Sequence, residues 1–227
     1  MDRSVRRRHR HSRAWLVLQS LAALVGAIPC IAIAQAQTAS GATVVIIEDF
    51  SKADPDGFPQ GWQASRSETV TRQAYQIQHE GSQAFLKCKG VDSSARIFKR
   101  MAWDTKAFPI VIWRWRLHGP STGAEPFAAV FISLDQDFFG IPINTKYLWS
   151  PNLPKGTVVE GGLFRPSQVV LRSGAEKLGE WVEERVNAYE DFKRIHKHEP
   201  APQAWGISLV AGPGVEIDFG PIAAAQQ

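Results

Sequence analysis

Two pairs of side chains carry the clearest chemical pattern in the sequence. Tyr147 and Trp149 are two residues apart in Tyr147-Leu148-Trp149-Ser150, so on an extended strand they share one face. Their face runs into Ser150-Pro151-Asn152, a loop placed to rim a groove. Aromatic rings stack well on the apolar C–H faces of pyranose rings, and Arg, Asn and Asp bond the hydroxyls. Arg114 and Arg116 are also two apart, within Ile110-Val111-Ile112-Trp113-Arg114-Trp115-Arg116-Leu117. Alternation puts Val111, Trp113, Trp115 and Leu117 on one face and Ile110, Ile112, Arg114 and Arg116 on the other. Two guanidinium groups on a central strand must be solvated, paired with acids or turned to a ligand. The expected ligand contacts are therefore Arg114 and Arg116 for polar bonds and Tyr147 and Trp149 for stacking. The competing reading is that tryptophans fill the core, where at least four of the seven beyond the N-terminal leader are expected.

Other chemistries leave weaker traces. Glycoside hydrolysis takes two carboxylates flanking the scissile bond. Glu216-Ile217-Asp218 sets two acids on one strand face, but Gly220-Pro221 stands where a further Glu would complete that pattern, so no catalytic residue is assigned. Gly-x-Ser-x-Gly, a phosphate-binding glycine loop, His-Glu-x-x-His and Cys-x-x-Cys are all missing. His196 and His198, two apart beside lysines, make poor zinc ligands, and no metal site is assigned. A structural calcium is conceivable if Glu48, Asp49 and Asp218 converge where first and last strands meet, on fold analogy alone. Asp54-Pro55-Asp56-Gly57 and Asp135-Gln136-Asp137 lack the third acid of a calcium loop and read as turns. Cys88 alternates with Ala84 and Leu86 away from Lys87 and Lys89, which predicts a buried, inert thiol.

The elements that must position these residues are short strands. They are expected at 44–50, 74–78, 84–89, 95–101, 110–117, 127–135, 146–150, 157–160, 168–172, 205–210 and 215–219, with Gly, Pro, Asn or Asp between them. Residues 178–198 are ambiguous, because apolar spacing supports a helix while Trp181, Val182 and Val186 suit a strand. We assign a strand to 179–187 and a short helix to 188–197, ended by Pro200 and Pro202. The fold class is all-β, a two-sheet jelly-roll sandwich with one short helix near the C-terminus. Residues 1–36 read as a signal peptide: an arginine-rich start, an apolar run from Ala14 to Ile28, and small residues for cleavage after Ala34 or Ala36. Residues 37–227 form a single domain, with no transmembrane segment left after cleavage. Six of the 26 bases and one of the 22 acids precede Ala14, leaving 20 bases against 21 acids. The basic pI near 9.2 thus belongs to the leader, and nucleic acid is not an expected partner.

The sequence also resembles a bacterial exported family of unknown function. The resemblance rests on Trp113-Arg114-Trp115-Arg116-Leu117, Tyr147-Leu148-Trp149-Ser150, Val169-Val170-Leu171-Arg172-Ser173-Gly174, Gly179-Glu180-Trp181 with Glu184-Arg185-Val186, and Tyr189-Glu190-Asp191-Phe192. It implies export and a β-sandwich, not a chemistry. The acid-rich stretch which that family carries after Trp-Arg-Trp is here the short loop 119–125. Its Asp-rich turn near the C-terminus is here Ala211-Gly212-Pro213-Gly214, so a site built on those acids is not carried over. The resulting expectation is a periplasmic or secreted, non-catalytic module that binds a glycan or cell-envelope polymer. A polysaccharide lyase or glycoside hydrolase on the same scaffold and an envelope interaction protein stand as alternatives.

Overall fold

Period-two alternation of burial is realised most clearly in the strands at 110–119 and 182–187. The computed structural model describes residues 43–119, 126–162 and 165–227. The leader expected at 1–36 and residues 120–125 of the loop after Gly119 lie outside the described residues. In chain order the elements are β1 (Val44–Glu48), β2 (Gln63–Ala64), α1 (Glu68–Ala74), β3 (Tyr75–Glu80), β4 (Gln83–Cys88), β5 (Ala95–Arg100), β6 (Ile110–Gly119) and β7 (Ala128–Gln136). They continue with β8 (Pro142–Ser150), β9 (Val158–Val159), β10 (Ser167–Ser173), β11 (Val182–Asn187), α2 (Ala188–His196), β12 (Gly206–Ala211) and β13 (Glu216–Ala225). No helix among the described residues is long and apolar enough to cross a membrane.

The strands form a two-sheet sandwich of jelly-roll type. One sheet has six strands in the order β11-β6-β13-β4-β3, with β1 also paired to β13. The other has seven in the order β2-β5-β12-β7-β8-β10-β9. Pairing is antiparallel except between β8 and β10. The first and last strands are neighbours, in register from Val44 opposite Ala225 to Glu48 opposite Ile222. Inward side chains of both sheets interdigitate into one core, with Trp113, Trp115 and Leu117 of β6 facing Tyr147 and Trp149 of β8.

Two buried glutamates tie the sheets together at their edges. Glu48 on β1 accepts from Phe50 N at 2.6 Å, Trp62 Nε1 at 2.7 Å and Lys99 Nζ of β5 at 2.8 Å. Glu184 on β11 accepts from Trp115 Nε1 at 3.1 Å and Arg172 Nε of β10 at 2.5 Å. Each carboxylate belongs to the six-stranded sheet and each cation to the seven-stranded one. Hydrogen bonds from an indole offset the cost of burying the charge.

Helix α2 starts one residue after β11, as expected from the switch in periodicity. Asn187 caps it by accepting from Glu190 N, acids occupy its first turn and bases its last, and Phe192 and Ile195 are buried. Helix α1 was not expected. Its seven residues, Glu-Thr-Val-Thr-Arg-Gln-Ala, are too few to hold an isolated helix, three of them are β-branched, and Ser67 at its start makes no side-chain cap. Tertiary contacts hold it instead. Arg72 pairs with Asp54 at 2.7 Å and Asp56 at 2.8 Å, with its guanidinium over Phe58 at 4.4 Å. Thr71 Oγ1 donates to Arg66 O.

Candidate functional site

The two sheets differ in charge before any contact is considered. The six-stranded sheet carries Glu48, Glu80, Glu183, Glu184, Glu216 and Asp218 against Lys87, Arg114, Arg116 and Arg185. The seven-stranded sheet carries Arg96, Lys99, Arg100, Lys146 and Arg172 against Asp135 as its single acid. Lys99 and Arg172 are consumed by the two edge glutamates. Arg96 and Arg100 lie on the seven-stranded sheet's outer face.

Outward residues of the six-stranded sheet neutralise one another. Register sets Arg116 beside Asp218, and Asp218 beside Lys87. Arg116 donates from Nε at 2.9 Å and Nη2 at 2.8 Å to Asp218 Oδ2, which also lies 2.7 Å from His118 Nε2. Asp218 is 1% exposed, and its Oδ1 has no partner among the described residues. Arg116 also reaches Glu80 at 3.3 Å, and Lys87 pairs with Glu216. Trp181, immediately before β11, lies under this network, with Arg114 at 4.8 Å and Arg116 at 4.5 Å from its ring centre. Its Nε1 donates to Glu80 at 3.0 Å. That hydrogen bond, with the Arg116 charge behind it, holds the Glu80 carboxyl below its ordinary range. Lys87 does the same for Glu216. Arg114 fits flat over β13 because Gly220 has no Cβ, which would stand 2.5 Å from Arg114 Cγ.

On the outer face of the seven-stranded sheet, the two arginines of β5 lie on aromatic rings and, among the described residues, not on acids. Register gives one row of Phe98, Ser208, Phe131 and Lys146 across β5, β12, β7 and β8. Arg96 lies 4.3 Å from the Phe131 ring centre and donates to Ser208 Oγ at 3.0 Å. Lys146 Nζ is 5.6 Å from the same ring. Arg100 lies 4.9 Å from the ring centre of Trp205, which tilts against Phe98. Among the described residues no carboxylate pairs with Arg96 or Arg100. A cavity of about 320 Å³ opens beside this end of the sheet, lined in part by Arg100, Asp135, Gln136, Gln203 and Trp205. At its margin β5 and β12 approach closely at Gly206, whose φ of 148° and contact with Lys99 O leave no room for a side chain.

The residues expected as ligand contacts are thus divided. Arg114 and Arg116 are outward as expected, and Arg116 is committed to Asp218 and Glu80. Tyr147 and Trp149 are corrected: they share a face, but it is the core face, with exposures of 0% and 1%. Tyr147 donates to Asp191 at 3.0 Å and Trp149 Nε1 to Gly174 O at 2.8 Å, and neither ring face is open to a sugar. Trp149 only edges a second cavity of about 320 Å³ beside Lys155, Arg172 and Glu176. Five of the seven tryptophans among the described residues are buried; Trp181 and Trp205, one on each outer face, are the two that sequence reasoning passed over. The acids weighed for a calcium site have other partners. Glu48 is spent on Trp62 and Lys99, Asp218 on Arg116 and His118, and no group of three potential ligands forms among the described residues. Cys88 is buried as expected, and burial pushes its thiol up to about 12.

Residues 140–211, about a third of the chain, match the family model described as a protein of unknown function (DUF3047). A search of curated proteins gave no match. Among solved structures the chain is similar to the family 11 carbohydrate-binding module from Clostridium thermocellum, solved in complex with a β-1,3-1,4-mixed-linked tetrasaccharide. That likeness has 9% identity and a TM-score of 0.46, covering 81% of this chain and 95% of the module. Endoglucanase 3 of Trichoderma harzianum, from glycoside hydrolase family 12, is similar at 10% identity and a TM-score of 0.45 over 83% of this chain and 99% of the enzyme. The K2 cleaved adhesin domain of Lys-gingipain is similar at 14% identity and a TM-score of 0.44 over 83% and 99%.

Proposed function

We propose that this protein binds a saccharide without cleaving it, on the outer face of the seven-stranded sheet. The observation that carries the reading is the juxtaposition of Trp205 and Arg100 in the wall of the cavity, with Phe98 tilted against Trp205. Partly exposed rings offer apolar faces to sugar C–H groups, and a guanidinium beside them offers donors to hydroxyls. Gln136, Gln203 and Asp135 supply further polar groups in the same recess. The carboxylates nearest to a hydrolytic pair, Glu216 and Asp218, are held in ion pairs on the opposite sheet, which supports binding over turnover. The arginine-rich leader supports action in the periplasm or outside the cell.

Protein recovered from the periplasm, beginning at Gln35 or Gln37, tests the reading on a glycan array followed by turnover assays on any hit. Retention of a polysaccharide is expected, with no release of reducing ends or unsaturated sugars. Arg100→Ala, an exposed change, should weaken retention at least tenfold with the melting temperature nearly unchanged. Retention equal to wild type by Arg100→Ala and Trp205→Ala alike moves the site elsewhere, with Arg114 and Trp181 next in line. Cleavage of the ligand that Asp218→Asn abolishes replaces binding by hydrolysis or elimination.

A second reading, an envelope interaction protein, is favoured by one feature. The turn joining β7 to β8 presents Phe138 and Phe139 at 96% and 83% exposure, with Ile141 beside them. Asp137 Oδ1 accepts from both Phe139 N and Ile141 N, which fixes the turn with its rings outward. Loss of a co-purifying envelope protein in Phe138→Ser/Phe139→Ser, with glycan retention intact, supports that reading.

A further inference from the structure

We propose that the saccharide bound at the seven-stranded face is an anionic polymer, carrying carboxylate, phosphate or sulfate groups along its chain. This rests on the saccharide reading above and goes beyond it by naming the class of ligand. Three observations converge on it.

The first is the charge imbalance of the sheet. Of its five basic residues, two are neutralised by Glu48 and Glu184, and two more, Arg96 and Arg100, face outward with no carboxylate partner among the described residues. Its lone acid, Asp135, sits at the end of β7 past a bulge, where its carboxylate accepts from Gln136 N and lies 3.7 Å from His198 Nδ1. The outer face therefore carries positive charge that the strands themselves do not balance. A ligand of opposite sign is the complementary partner.

The second observation is the state of Arg96. Its Nε is buried with no acceptor among the described residues. Burial alone pushes the guanidinium below its ordinary value, and no carboxylate acts in the other direction. A partly desolvated cation without a counter-charge is costly. An arriving anion removes that cost, and so gains more here than it would from a solvated arginine.

The third is spacing. Arg96 and Arg100 are four residues apart on β5, and a strand rises about 3.3 Å per residue, so their backbone positions lie roughly 13 Å apart. Arg96 and Lys146 converge on Phe131, whereas Arg100 lies on Trp205. Two separate cationic spots, each backed by a ring, suit successive charged units of a polymer better than a single small anion. The aromatic rings between them keep the surface selective for a sugar backbone over a bare polyanion.

The test uses polygalacturonate, its fully methyl-esterified form and neutral mixed-linkage β-glucan as probes, with affinity electrophoresis and calorimetry on the exported protein. Polygalacturonate should bind at least tenfold more tightly than its ester. The preference should fall as salt rises from 50 to 500 mM, because exposed charges are screened. Arg100→Gln and Arg96→Gln should each cost about tenfold for polygalacturonate and little for neutral glucan. Arg185→Gln, on the outer face of the other sheet, should leave binding unchanged. Equal affinity for the acid and its ester overturns the anionic inference and leaves the saccharide reading standing. Binding of neither pectin probe nor glucan, with heparin and a teichoic acid also unbound, overturns both. Binding of polyphosphate as tightly as any glycan, with no loss in Trp205→Ala, also overturns the inference, since the face is then a general polyanion patch.

Discussion

The two outer faces of the sandwich solve the same problem in opposite ways. Each has two arginines on one strand and one partly exposed tryptophan at the leading end of another. On the six-stranded face, Arg116 is drawn into a pair with Asp218 and Glu80, and Trp181 is bound into the same network through Glu80. On the seven-stranded face, Arg96 and Arg100 have rings beneath them and, among the described residues, no acid beside them. The difference arises in the strand sequences: β13 supplies Glu216 and Asp218 to its neighbours, whereas β12 supplies only Gly206, Ser208 and Val210. A central strand with outward acids builds a self-satisfied surface that contributes to stability. A central strand without outward acids leaves Arg96 and Arg100 of its neighbour with no carboxylate partner among the described residues. Arginines alone are therefore a poor guide to a site; the strand between them decides.

The largest expected effects fall on residues that belong to neither outer face or hold one together. Trp149→Ala removes a fully buried ring packed 5.6 Å from Trp115, and should cost about 3–5 kcal/mol in urea unfolding. Asp218→Ala comes next. It leaves Arg116 and His118 without their shared carboxylate, and removing one partner of a buried pair costs about 3–5 kcal/mol. Arg100→Ala on the other face should change stability by less than about 0.5 kcal/mol, as exposed substitutions do. The comparison breaks if Asp218→Ala and Arg100→Ala shift the urea midpoint alike. It sharpens if Asp218→Ala is substantially rescued by adding Arg116→Met, because the orphaned cation is then gone.

How much of this was legible in the sequence follows from what alternation encodes. It tells which residues share a face, and on β6 this was enough, because tryptophans opposed arginines. On β8 it was not enough. That strand lies inside its sheet between β7 and β10, and its outward Leu148 is also buried, so Lys146 alone marked which way Tyr147 and Trp149 point. The partly exposed tryptophans, Trp181 and Trp205, fell within the strands expected at 179–187 and 205–210 but sit just before β11 and β12, and alternation alone did not set them apart from the core tryptophans. The Arg116–Asp218 pair spans 102 residues of sequence, and only the pairing of β6 with β13 brings it together. The basic character of 95–100, 146 and 172 was present in the sequence throughout, but it becomes a pattern only once β5, β8 and β10 are known to share a sheet. Helix α1 stayed hidden because its stability comes from Arg72 reaching back to the Asp54–Asp56 turn.

A smaller effect separates the core from both faces chemically. Native Cys88 should react with a thiol reagent far more slowly than in denaturant, since burial pushes its thiol up to about 12 and shields it. Rapid labelling of the native protein would show that β4 does not present Ala84, Leu86 and Cys88 inward.

The smallest expected effect distinguishes the two faces by pH. Glu80 and Glu216 have carboxyls held below the ordinary value of 4.5, chiefly by Trp181 and Lys87 respectively. For an acid lowered in the folded state, the native form binds fewer protons than the unfolded one as pH passes downward between the two values. The stability they contribute is complete above 4.5 and is lost as pH falls through the lowered folded values. Among the described residues no carboxylate bonds to a ring of the seven-stranded face, so its geometry should be unchanged over the same range. Indole N–H resonances read this directly. The Trp181 signal should shift as acid protonates Glu80 and weakens the hydrogen bond from Nε1, with a midpoint below 4.5. The Trp205 signal should stay flat until global unfolding. Glu80→Gln should abolish the Trp181 titration while leaving Trp205 untouched. A Trp205 signal that titrates with Trp181 would mean that the seven-stranded face also answers to a carboxylate, and its positive charge would no longer be available to draw in an anionic polymer.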